Sequence, residues 1–406
     1  MLKGNAIVGQ SGGPTTVINA SLAGVIKGAL AATDAIETIY GAEHGIEGVI
    51  AENLVNLSER FADPHQLALL INTPAAYLGS CRKKLPKEFD ETFDKIFEVF
   101  KKNNIAYFFY IGGNDSMDTV HKLSTYAKQI GYPINIIGVP KTIDNDLAVT
   151  DHTPGFGSAA KYIATSLREV ARDAQVYDSN TVTIVEIMGR NAGWLTAAAA
   201  LARGGKESSP HLIYLPELPF SVEKFLADVE KVSKTHKNVI AVVSEGIKTE
   251  EGKYVCEGAT ADIVDSFGHK QLSGTARVLS DLIHSKFGWK VRSIEFSLLQ
   301  RCGAHTAAQT DLTEAEQIGT AGVKAAVSGE TGMMMYFKRV SEDPYKVEIH
   351  SADISKIANV ERIVPREWIN EEGNDILQPA IDYMLPLIQG ENEVIYEKGL
   401  PVYLKR

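Results

Sequence analysis

The stretch that decides the fold is Gly138-Val139-Pro140-Lys141-Thr142-Ile143-Asp144-Asn145-Asp146. It follows an apolar, β-branched run at residues 134–137, which is typical of a buried parallel strand. Proline cannot donate a hydrogen bond to a neighbouring strand, so pairing should end near Pro140. The polar residues that follow should emerge at the carboxyl end of the strand, which is the edge where open α/β sheets bind their ligands.

The polar part of this stretch contains a lysine, a threonine and two carboxylates within a few residues. Phosphoryl transfer needs such a set, because a cation stabilises developing negative charge and a carboxylate takes a proton from the attacking hydroxyl. The alternative is a structural turn whose short polar side chains bond to their own backbone. The stretch alone leaves both interpretations open.

Composition limits the class of protein. The chain has 406 residues, so we expect two domains, and its 44% hydrophobic and 23% charged content is typical of a soluble globular protein. A net charge of −10 argues against nucleic acid or an anionic membrane as the main partner. Three cysteines without metal-site spacing, and no signal peptide or long apolar run, favour a cytoplasmic protein.

Strands alternate with helices through most of the chain, which predicts an α/β fold of parallel sheets with helices on both faces. Residues 192–202 are predicted to form one helix, and residues 333–337 and 347–350 a late hairpin or a pair of strands. Functional residue types recur at predicted strand ends: Gly12-Gly13, residues 113–116, residues 141–146, Gly189-Arg190 and Glu245. Together they indicate a single site for phosphoryl transfer between two α/β lobes.

A basic run, Arg82-Lys83-Lys84, follows a Gly-Ser turn. Runs of charge usually form a solvated face, so exposure to water is the first interpretation. Contact with a substrate phosphate is the second, and the run itself does not distinguish them.

Taken in order, these motifs resemble those of the phosphofructokinase family over roughly residues 4–330. The most specific match is the stretch from Pro140 to Asp146. The other matches are Gly12-Gly13, Leu78-Gly79-Ser80-x-Arg82, Gly112-Gly113-x-Asp115-Ser116, Met188-Gly189-Arg190, Glu245-Gly246 and Gln300-Arg301. The resemblance implies two doubly wound, Rossmann-like parallel-sheet lobes with the active site between them. It also implies phosphorylation of fructose 6-phosphate on its 1-hydroxyl.

The resemblance assigns roles residue by residue. Asp144 becomes the general base, and Gly12, Gly13 and Arg82 lie on the side of the phosphoryl donor. The residues that would bind the sugar and its 6-phosphate are Thr142, Ile143, Asp144, Met188, Gly189, Arg190, Glu245, Arg292, Leu298, Gln300 and Arg301.

Two positions choose the phosphoryl donor in this family. ATP-dependent bacterial members carry glycine at the positions of Asp115 and Lys141, whereas the pyrophosphate-dependent branch carries Asp and Lys, as this chain does. A carboxylate at Asp115 occupies the space of an α-phosphate and repels its charge, and Lys141 can bind the departing phosphate. Some ATP-dependent relatives share the lysine, so Asp115 carries most of the inference.

Three positions depart from the family pattern. Asn114 stands where many members carry an Asp that binds Mg²⁺, and an amide is a poorer ligand for this cation, so pyrophosphate and water should supply more of the coordination. Thr181 replaces an Arg that reaches a neighbouring subunit in the bacterial ATP enzymes, and Leu298 replaces a His. Both changes argue against the allosteric tetramer, and we expect a homo-oligomer, with a dimer favoured.

The sequence therefore predicts a pyrophosphate-dependent enzyme that uses Mg²⁺. Residues 1–155 with about 300–345 would form the pyrophosphate lobe, and residues 156–299 with part of the tail (about 346–406) the fructose 6-phosphate lobe. Two alternatives share the fold: an ATP-dependent enzyme, and a non-catalytic regulatory subunit that binds sugar phosphate. The intact Asp144 and Arg190 argue against the second.

Overall fold

The computed structural model describes residues 1–204, 208–257, 272–358 and 360–405. Its strands are β1 (Gly4–Gln10), β2 (Ile36–Ala42), β3 (Leu54–Asn56), β4 (Ile105–Gly112), β5 (Asn135–Pro140), β6 (Thr181–Ile187), β7 (Leu212–Tyr214), β8 (Asn238–Ser244), β9 (Lys290–Glu295), β10 (Met333–Glu342), β11 (Tyr345–Asp353), β12 (Tyr396–Glu397) and β13 (Leu400–Pro401). Its α-helices are α1 (Ile18–Ala31), α2 (Gly45–Ala51), α3 (Leu57–Arg60), α4 (Pro64–Asn72), α5 (Glu91–Lys102), α6 (Asn114–Ile130), α7 (Phe156–Ala174), α8 (Trp194–Ala197), α9 (Val222–Ser233), α10 (Thr275–Phe287), α11 (Leu299–Cys302), α12 (Gln309–Val327) and α13 (Gln378–Met384).

The strands form two principal sheets. The larger has the order β11-β10-β5-β4-β1-β2-β3, and its interior pairs from β10 to β2 are parallel. Its two edge strands, β3 and β11, pair antiparallel with their neighbours. The smaller sheet has the order β7-β8-β6-β9 and is parallel throughout. The chain runs from β1 to β2 and β3 on one side and then returns to β4 on the other side of β1, so the larger sheet has a topological switch point between β1 and β4.

Each sheet is covered on both faces. In β5, Ile136 packs into one hydrophobic cluster and Ile137 into another on the opposite face. In β6, Ile184 and Val185 divide in the same way between two further clusters. Successive side chains of a strand point to opposite faces, so strands buried on both faces become continuously apolar. The predicted α/β class with two doubly wound lobes is confirmed.

Two local predictions have different outcomes. The late hairpin is confirmed, with β10 and β11 paired from Met333 opposite Asp353 to Glu342 opposite Tyr345. The single helix predicted at residues 192–202 is wrong in form, because α8 ends at Ala197 and a 3-10 helix continues from Ala198 to Ala202. The five residues of this 3-10 turn are buried, and their small side chains permit close packing against α7.

The tail passes from one sheet to the other. Strand β11 extends the larger sheet as far as Asp353, whereas α13 packs into a cluster beside the smaller sheet through Ala380, Tyr383 and Met384. The predicted boundary at about residue 345 thus falls inside the β10–β11 hairpin, and the division into substrate lobes stays a prediction. No helix in the described ranges has the length and apolar character needed to cross a membrane.

Candidate active site

A cavity of about 600 Å³ opens at the carboxyl ends of the strands, with walls from both sheets. Thirteen predicted site residues line it: Gly12, Gly13, Arg82, Asn114, Asp115, Lys141, Thr142, Ile143, Asp144, Met188, Arg190, Glu245 and Arg301. Eleven of them directly follow β1, β4 and β5 of the larger sheet or β6 and β8 of the smaller one, whereas Arg82 lies between α4 and α5 and Arg301 lies in α11, after β9. The predicted convergence of strand ends therefore occurs.

Backbone hydrogen bonds fix the three loops of the larger sheet against each other. The Ser11 N–H donates to the Ile111 carbonyl (2.9 Å), and the Lys141 N–H donates to the Gly112 carbonyl (3.0 Å). The first contact joins the loops after β1 and β4, and the second joins the loops after β4 and β5. The site is thus built at the switch point of the larger sheet, where open sheets bind ligands.

The Gly12-Gly13 turn, which the sequence assigns to the phosphoryl donor, lines the cavity. Gly12 has a φ of 78°, which disfavours other residues, and its carbonyl accepts a hydrogen bond from the Ser80 hydroxyl (2.6 Å). A Cβ at Gly13 would lie 3.1 Å from Arg301 Nη1 and 4.0 Å from Arg82 Nη2. Two guanidinium groups therefore face the bare backbone of this turn, which suits a phosphate group. The sequence assigns Arg301 to the sugar-phosphate site, but in the structure it lies against the Gly12-Gly13 turn.

Lys141 adds a third cationic side chain beside the Gly12-Gly13 turn. Its side chain is 2% exposed, and Nζ donates to the Gly13 carbonyl (2.5 Å). Burial, together with the nearby charges of Arg301 and Arg82, lowers the pKa of Lys141 to about 7, although Asp144 opposes the shift. An anion bound beside this amine would favour its charged form, so binding of a phosphate and protonation of Lys141 are coupled.

Asp144 lies in a turn that has features of both interpretations of the sequence, the structural turn and the phosphoryl-transfer site. The Thr142 hydroxyl accepts a hydrogen bond from the Asp144 N–H (3.1 Å), so a side chain does close its own backbone here. The Asp144 carboxylate nevertheless lines the cavity and lies 3.4 Å from the same hydroxyl. Burial raises the pKa of Asp144, while Lys141 opposes the shift. A raised pKa makes this carboxylate a stronger base for a sugar hydroxyl.

Asp115 is the second residue of α6, the helix that follows β4, and is paired with a residue of the basic run. Its Oδ1 lies 3.0 Å from Lys84 Nζ, and both side chains line the cavity. The basic run is thus partly a cavity-facing element, since Arg82 and Lys84 both line the cavity. The ion pair fixes the Asp115 carboxylate in place and offsets part of its charge.

The smaller sheet supplies the opposite wall. The Glu245 N–H donates to the Ile187 carbonyl (2.9 Å), which joins the ends of β8 and β6, and the Gly189 N–H donates to Glu245 Oε1 (3.4 Å). Burial raises the pKa of Glu245 to about 8, with a further contribution from Asp144. Met188 and Arg190 line the cavity on either side of Gly189, whose φ of 137° turns the chain between them.

Four predicted sugar-binding residues do not line the cavity. Gly189 contributes backbone behind its neighbours, and Gln300 is fully buried with its amide bonded to the Ser297 carbonyl (3.0 Å). Arg292 lies on β9 beside the ring of Tyr177, and Leu298 is 56% exposed at the surface. Their roles stay predictions.

Several lining residues were missed from the sequence. Lys84 and Asp146 belong to motifs that sequence reasoning did recognise, so their charge and position were available signals. Asn191 directly follows a recognised motif. Glu361 comes from the tail, more than 100 residues after Glu245, and no local pattern in the sequence indicated it.

The donor set for a metal ion is sparse. Within the ranges that the structure describes, no three His, Cys, Asp or Glu side chains are grouped so that they could hold a metal ion. Asp146 lines the cavity, and its Oδ1 is buried without a hydrogen-bond partner. The Asn114 amide donates to the Val360 carbonyl (3.1 Å). One carboxylate with an available oxygen suits Mg²⁺, which usually takes one or two protein carboxylates together with substrate phosphates.

Comparisons with known proteins agree with this geometry. The phosphofructokinase family model matches residues 5–326. A pyrophosphate–fructose 6-phosphate 1-phosphotransferase from Xanthomonas campestris is 43% identical and covers 100% of this chain and 96% of its own length. One from Methylococcus capsulatus is 40% identical over 98% of this chain and 95% of its own. A pyrophosphate-dependent phosphofructokinase from Nitrosospira multiformis has a similar structure (TM-score 0.90, 39% identity, 99% of this chain and 96% of that one). Sequence motifs, two-sheet architecture and full-length similarity lead to one conclusion: the chain belongs to the phosphofructokinase family.

Proposed function

We propose that this enzyme transfers a phosphoryl group from pyrophosphate to the 1-hydroxyl of fructose 6-phosphate, giving fructose 1,6-bisphosphate and phosphate, in a reversible step of glycolysis and gluconeogenesis. The observation that carries the proposal is the convergence of three cations, Lys141, Arg82 and Arg301, on the Gly12-Gly13 turn beside the Asp144 carboxylate. This arrangement places charge stabilisation and a base in one cavity.

On the acceptor side, Asp144 takes the proton of the 1-hydroxyl as that oxygen attacks phosphorus. Its raised pKa supports this role, because a base is most effective when its pKa approaches the working pH. Arg190 and Glu245 line the wall where the sugar phosphate would bind. The guanidinium would contact the 6-phosphate, and the carboxyl, whose pKa is raised to about 8, would hydrogen-bond a sugar hydroxyl.

On the donor side, Arg82 and Arg301 would hold the two phosphate groups against the Gly12-Gly13 backbone. Lys141 binds the phosphate that leaves, whose negative charge rises as the bond to the transferred group breaks. Asp115, fixed by Lys84, closes the space that the rest of a nucleotide would need. The donor site thus accommodates a diphosphate and excludes a larger donor.

The residues present fit Mg²⁺. Asp146 offers the oxygen that has no partner, and Asn114 could add only a weak amide ligand. The bound ion would neutralise charge on the diphosphate oxygens. The protein itself contributes the arginines, the lysine and the base.

We also propose that the chain works in the cytoplasm as a homo-oligomer, with a dimer favoured. Val176, Tyr177, Leu298 and Leu299 are large apolar side chains that are 49–69% exposed. Exposed apolar side chains of this size favour contact with a second copy.

The direct test supplies purified protein with fructose 6-phosphate, pyrophosphate and Mg²⁺ and follows fructose 1,6-bisphosphate and phosphate. Equal formation of both products, and the reverse reaction from fructose 1,6-bisphosphate and phosphate, are expected. A preparation that binds fructose 6-phosphate but forms no product with any phosphoryl donor would support the regulatory-subunit alternative.

A further inference from the structure

A short segment of the tail, residues 360–362, contributes Glu361 to the lining of the cavity. The Val360 carbonyl accepts a hydrogen bond from the Asn114 amide (3.1 Å), and the Arg362 N–H donates to the Asp146 carbonyl (2.8 Å). Between them, Glu361 forms an isolated antiparallel bridge with Leu147. The backbone at Glu361 is thus attached to loops that follow β4 and β5 of the larger sheet.

The Glu361 side chain points the other way, toward the smaller sheet. The Asn191 amide nitrogen lies 3.1 Å from one carboxylate oxygen and 3.3 Å from the other. Both Glu361 and Asn191 line the cavity. Glu361 therefore joins the two walls, although it lies outside residues 5–326, which the family model matches.

The position of Glu361 is fixed by its neighbour. The Arg362 guanidinium lies 4.4 Å from the Trp194 ring centre, donates to the Thr150 carbonyl (2.8 Å) and donates to the Tyr383 hydroxyl (2.9 Å). These contacts anchor the segment on both walls. A side chain on such a support loses little conformational freedom when it contacts a ligand, which favours a binding role.

The chemistry of Glu361 selects the group that it can bind. A carboxylate has about four acceptor positions, and the single amide nitrogen of Asn191 occupies only part of them. The side chain remains exposed to the cavity. A carboxylate repels phosphate oxygens and accepts hydrogen bonds from hydroxyl groups. Among the groups that the two proposed substrates offer, the one that matches Glu361 is therefore a sugar hydroxyl.

We propose that Glu361 is a specificity-determining residue that accepts a hydrogen bond from a hydroxyl of the sugar phosphate. The inference rests on the proposed function, because it assigns a tail residue to the acceptor of that reaction. Glu361 would make the enzyme prefer acceptors that carry several hydroxyls over analogues that lack the contacted one.

The test is a double-mutant cycle in which one change removes the Glu361 side chain and the other removes a hydroxyl from the ligand. Dissociation constants are measured by calorimetry for fructose 6-phosphate, for analogues that each lack one hydroxyl at carbon 2, 3 or 4, and for pyrophosphate. The proteins are wild type, Glu361→Gln, Glu361→Ala and the control Glu367→Gln, which removes an exposed carboxylate of the same tail outside the cavity. Glu361→Ala should weaken binding of fructose 6-phosphate about 10- to 100-fold, as expected for a hydrogen bond to a charged group. Glu361→Gln, which keeps an acceptor oxygen, should lose less.

Two results together support the inference. Affinity for pyrophosphate should change less than about threefold in every variant, and one analogue should bind wild type weakly but bind Glu361→Ala no worse than fructose 6-phosphate does. Additive losses for every analogue, or an equal loss of pyrophosphate affinity, would overturn it. A higher Mg²⁺ requirement with unchanged sugar affinity would overturn it too, since Glu361 would then act on the cation.

Failure of the proposed function looks different. In that case wild type itself would neither bind nor phosphorylate fructose 6-phosphate, and the inference would fall with it. A wild type that phosphorylates fructose 6-phosphate while Glu361→Ala binds it normally would overturn the inference alone.

Discussion

At the scale of single residues, the proposed donor choice depends on whether Asp115 excludes a nucleotide. Its carboxylate is paired with Lys84 at 3.0 Å, and the Asp115 side chain is 27% exposed. Lys84 at this distance offsets part of the negative charge of Asp115 but leaves the volume of the Asp115 side chain unchanged. We therefore expect exclusion at Asp115 to depend more on the space that the side chain fills than on repulsion of an α-phosphate.

Variants at Asp115 and Lys141 separate these contributions. Asp115→Gly should permit some use of ATP while activity with pyrophosphate falls, and Asp115→Asn, which keeps the volume, should permit much less. Lys141→Gly should lower kcat with pyrophosphate without granting ATP use, because it leaves the blockade in place. Initial rates with both donors across the two single variants, the double variant and wild type measure this, and the effects should not add. ATP use by Lys141→Gly but not Asp115→Gly would reverse the roles.

Asp144→Asn tests the base. The substitution keeps the shape of the side chain and leaves the backbone N–H of residue 144 bonded to the Thr142 hydroxyl, but the amide cannot accept the proton, so kcat should fall about 10²- to 10⁴-fold. The loss should appear in kcat more than in KM for either substrate. A variant that retains more than half of the wild-type kcat would remove Asp144 from this role.

Arg190→Ala tests the sugar-phosphate wall. Loss of a guanidinium that contacts phosphate should raise KM for fructose 6-phosphate at least tenfold and change KM for pyrophosphate little. Arg168→Ala, on the exposed face of α7, is the control and should leave both constants unchanged. Equal effects of Arg190→Ala on both substrates would place Arg190 between the two ligands instead.

At the scale of elements, the loop that carries Asp144 rests on a buried charged network. His152 is 2% exposed, with its ring nitrogens 2.9 Å from Asp151 and 2.7 Å from Glu314. Burial alone would lower its pKa, but the two carboxylates outweigh burial and raise the pKa of His152 to about 9. The next residue, Thr153, donates from its hydroxyl to the Thr142 carbonyl (2.7 Å). The network thus supports the contact that holds together the two ends of the loop that carries Asp144.

This network predicts a dependence of stability on pH. The pKa of His152 is higher in the folded chain than its ordinary value of 6.5, so its stabilising contribution is complete below pH 6.5 and is lost as pH rises through about 9. The thermal midpoint of wild type should therefore fall across this range. His152→Asn should have a lower midpoint at pH 6.5 and a smaller fall up to pH 9. An identical fall in both proteins would show that other groups cause the pH dependence.

The length and local pattern of each helix and strand explain which of them could be predicted from the sequence. Strand β4 (Ile105–Gly112) can be recognised in the sequence, because a continuous apolar run that ends in two glycines has a local signature. Residues 45–72 contain α2, β3, α3 and α4, which the prediction omitted, since segments of three to nine residues show too few periods to recognise. Glu361 was missed for another reason: the tertiary fold alone brings the tail to the cavity.

At the scale of the whole molecule, the site exists only because two sheets face each other. Gly12-Gly13 and Lys141 belong to the larger sheet, and Arg190 and Glu245 to the smaller. Donor and acceptor would therefore meet between the two sheets, which aligns the reacting atoms and excludes water when both substrates are bound.

The exposed apolar residues beside β9 lead to a prediction for assembly. Light scattering of the purified protein at micromolar concentration should give twice the chain mass of 44.2 kDa. Leu298→Glu with Leu299→Glu should shift the mass toward one chain, because two charges would enter the apolar contact. A wild-type mass of 44.2 kDa across the accessible concentrations would contradict the proposed dimer.

The central claim is that this cavity is built for a diphosphate donor. The most direct measurement compares kcat/KM for pyrophosphate and for ATP, each with saturating fructose 6-phosphate and Mg²⁺, in the same preparation. Asp115 and Lys141 line the same cavity, and if Asp115 closes its donor side as proposed, pyrophosphate should exceed ATP by at least 10³-fold, a preference of about 4 kcal/mol in transition-state binding. Equal values, or a preference for ATP, would contradict the account.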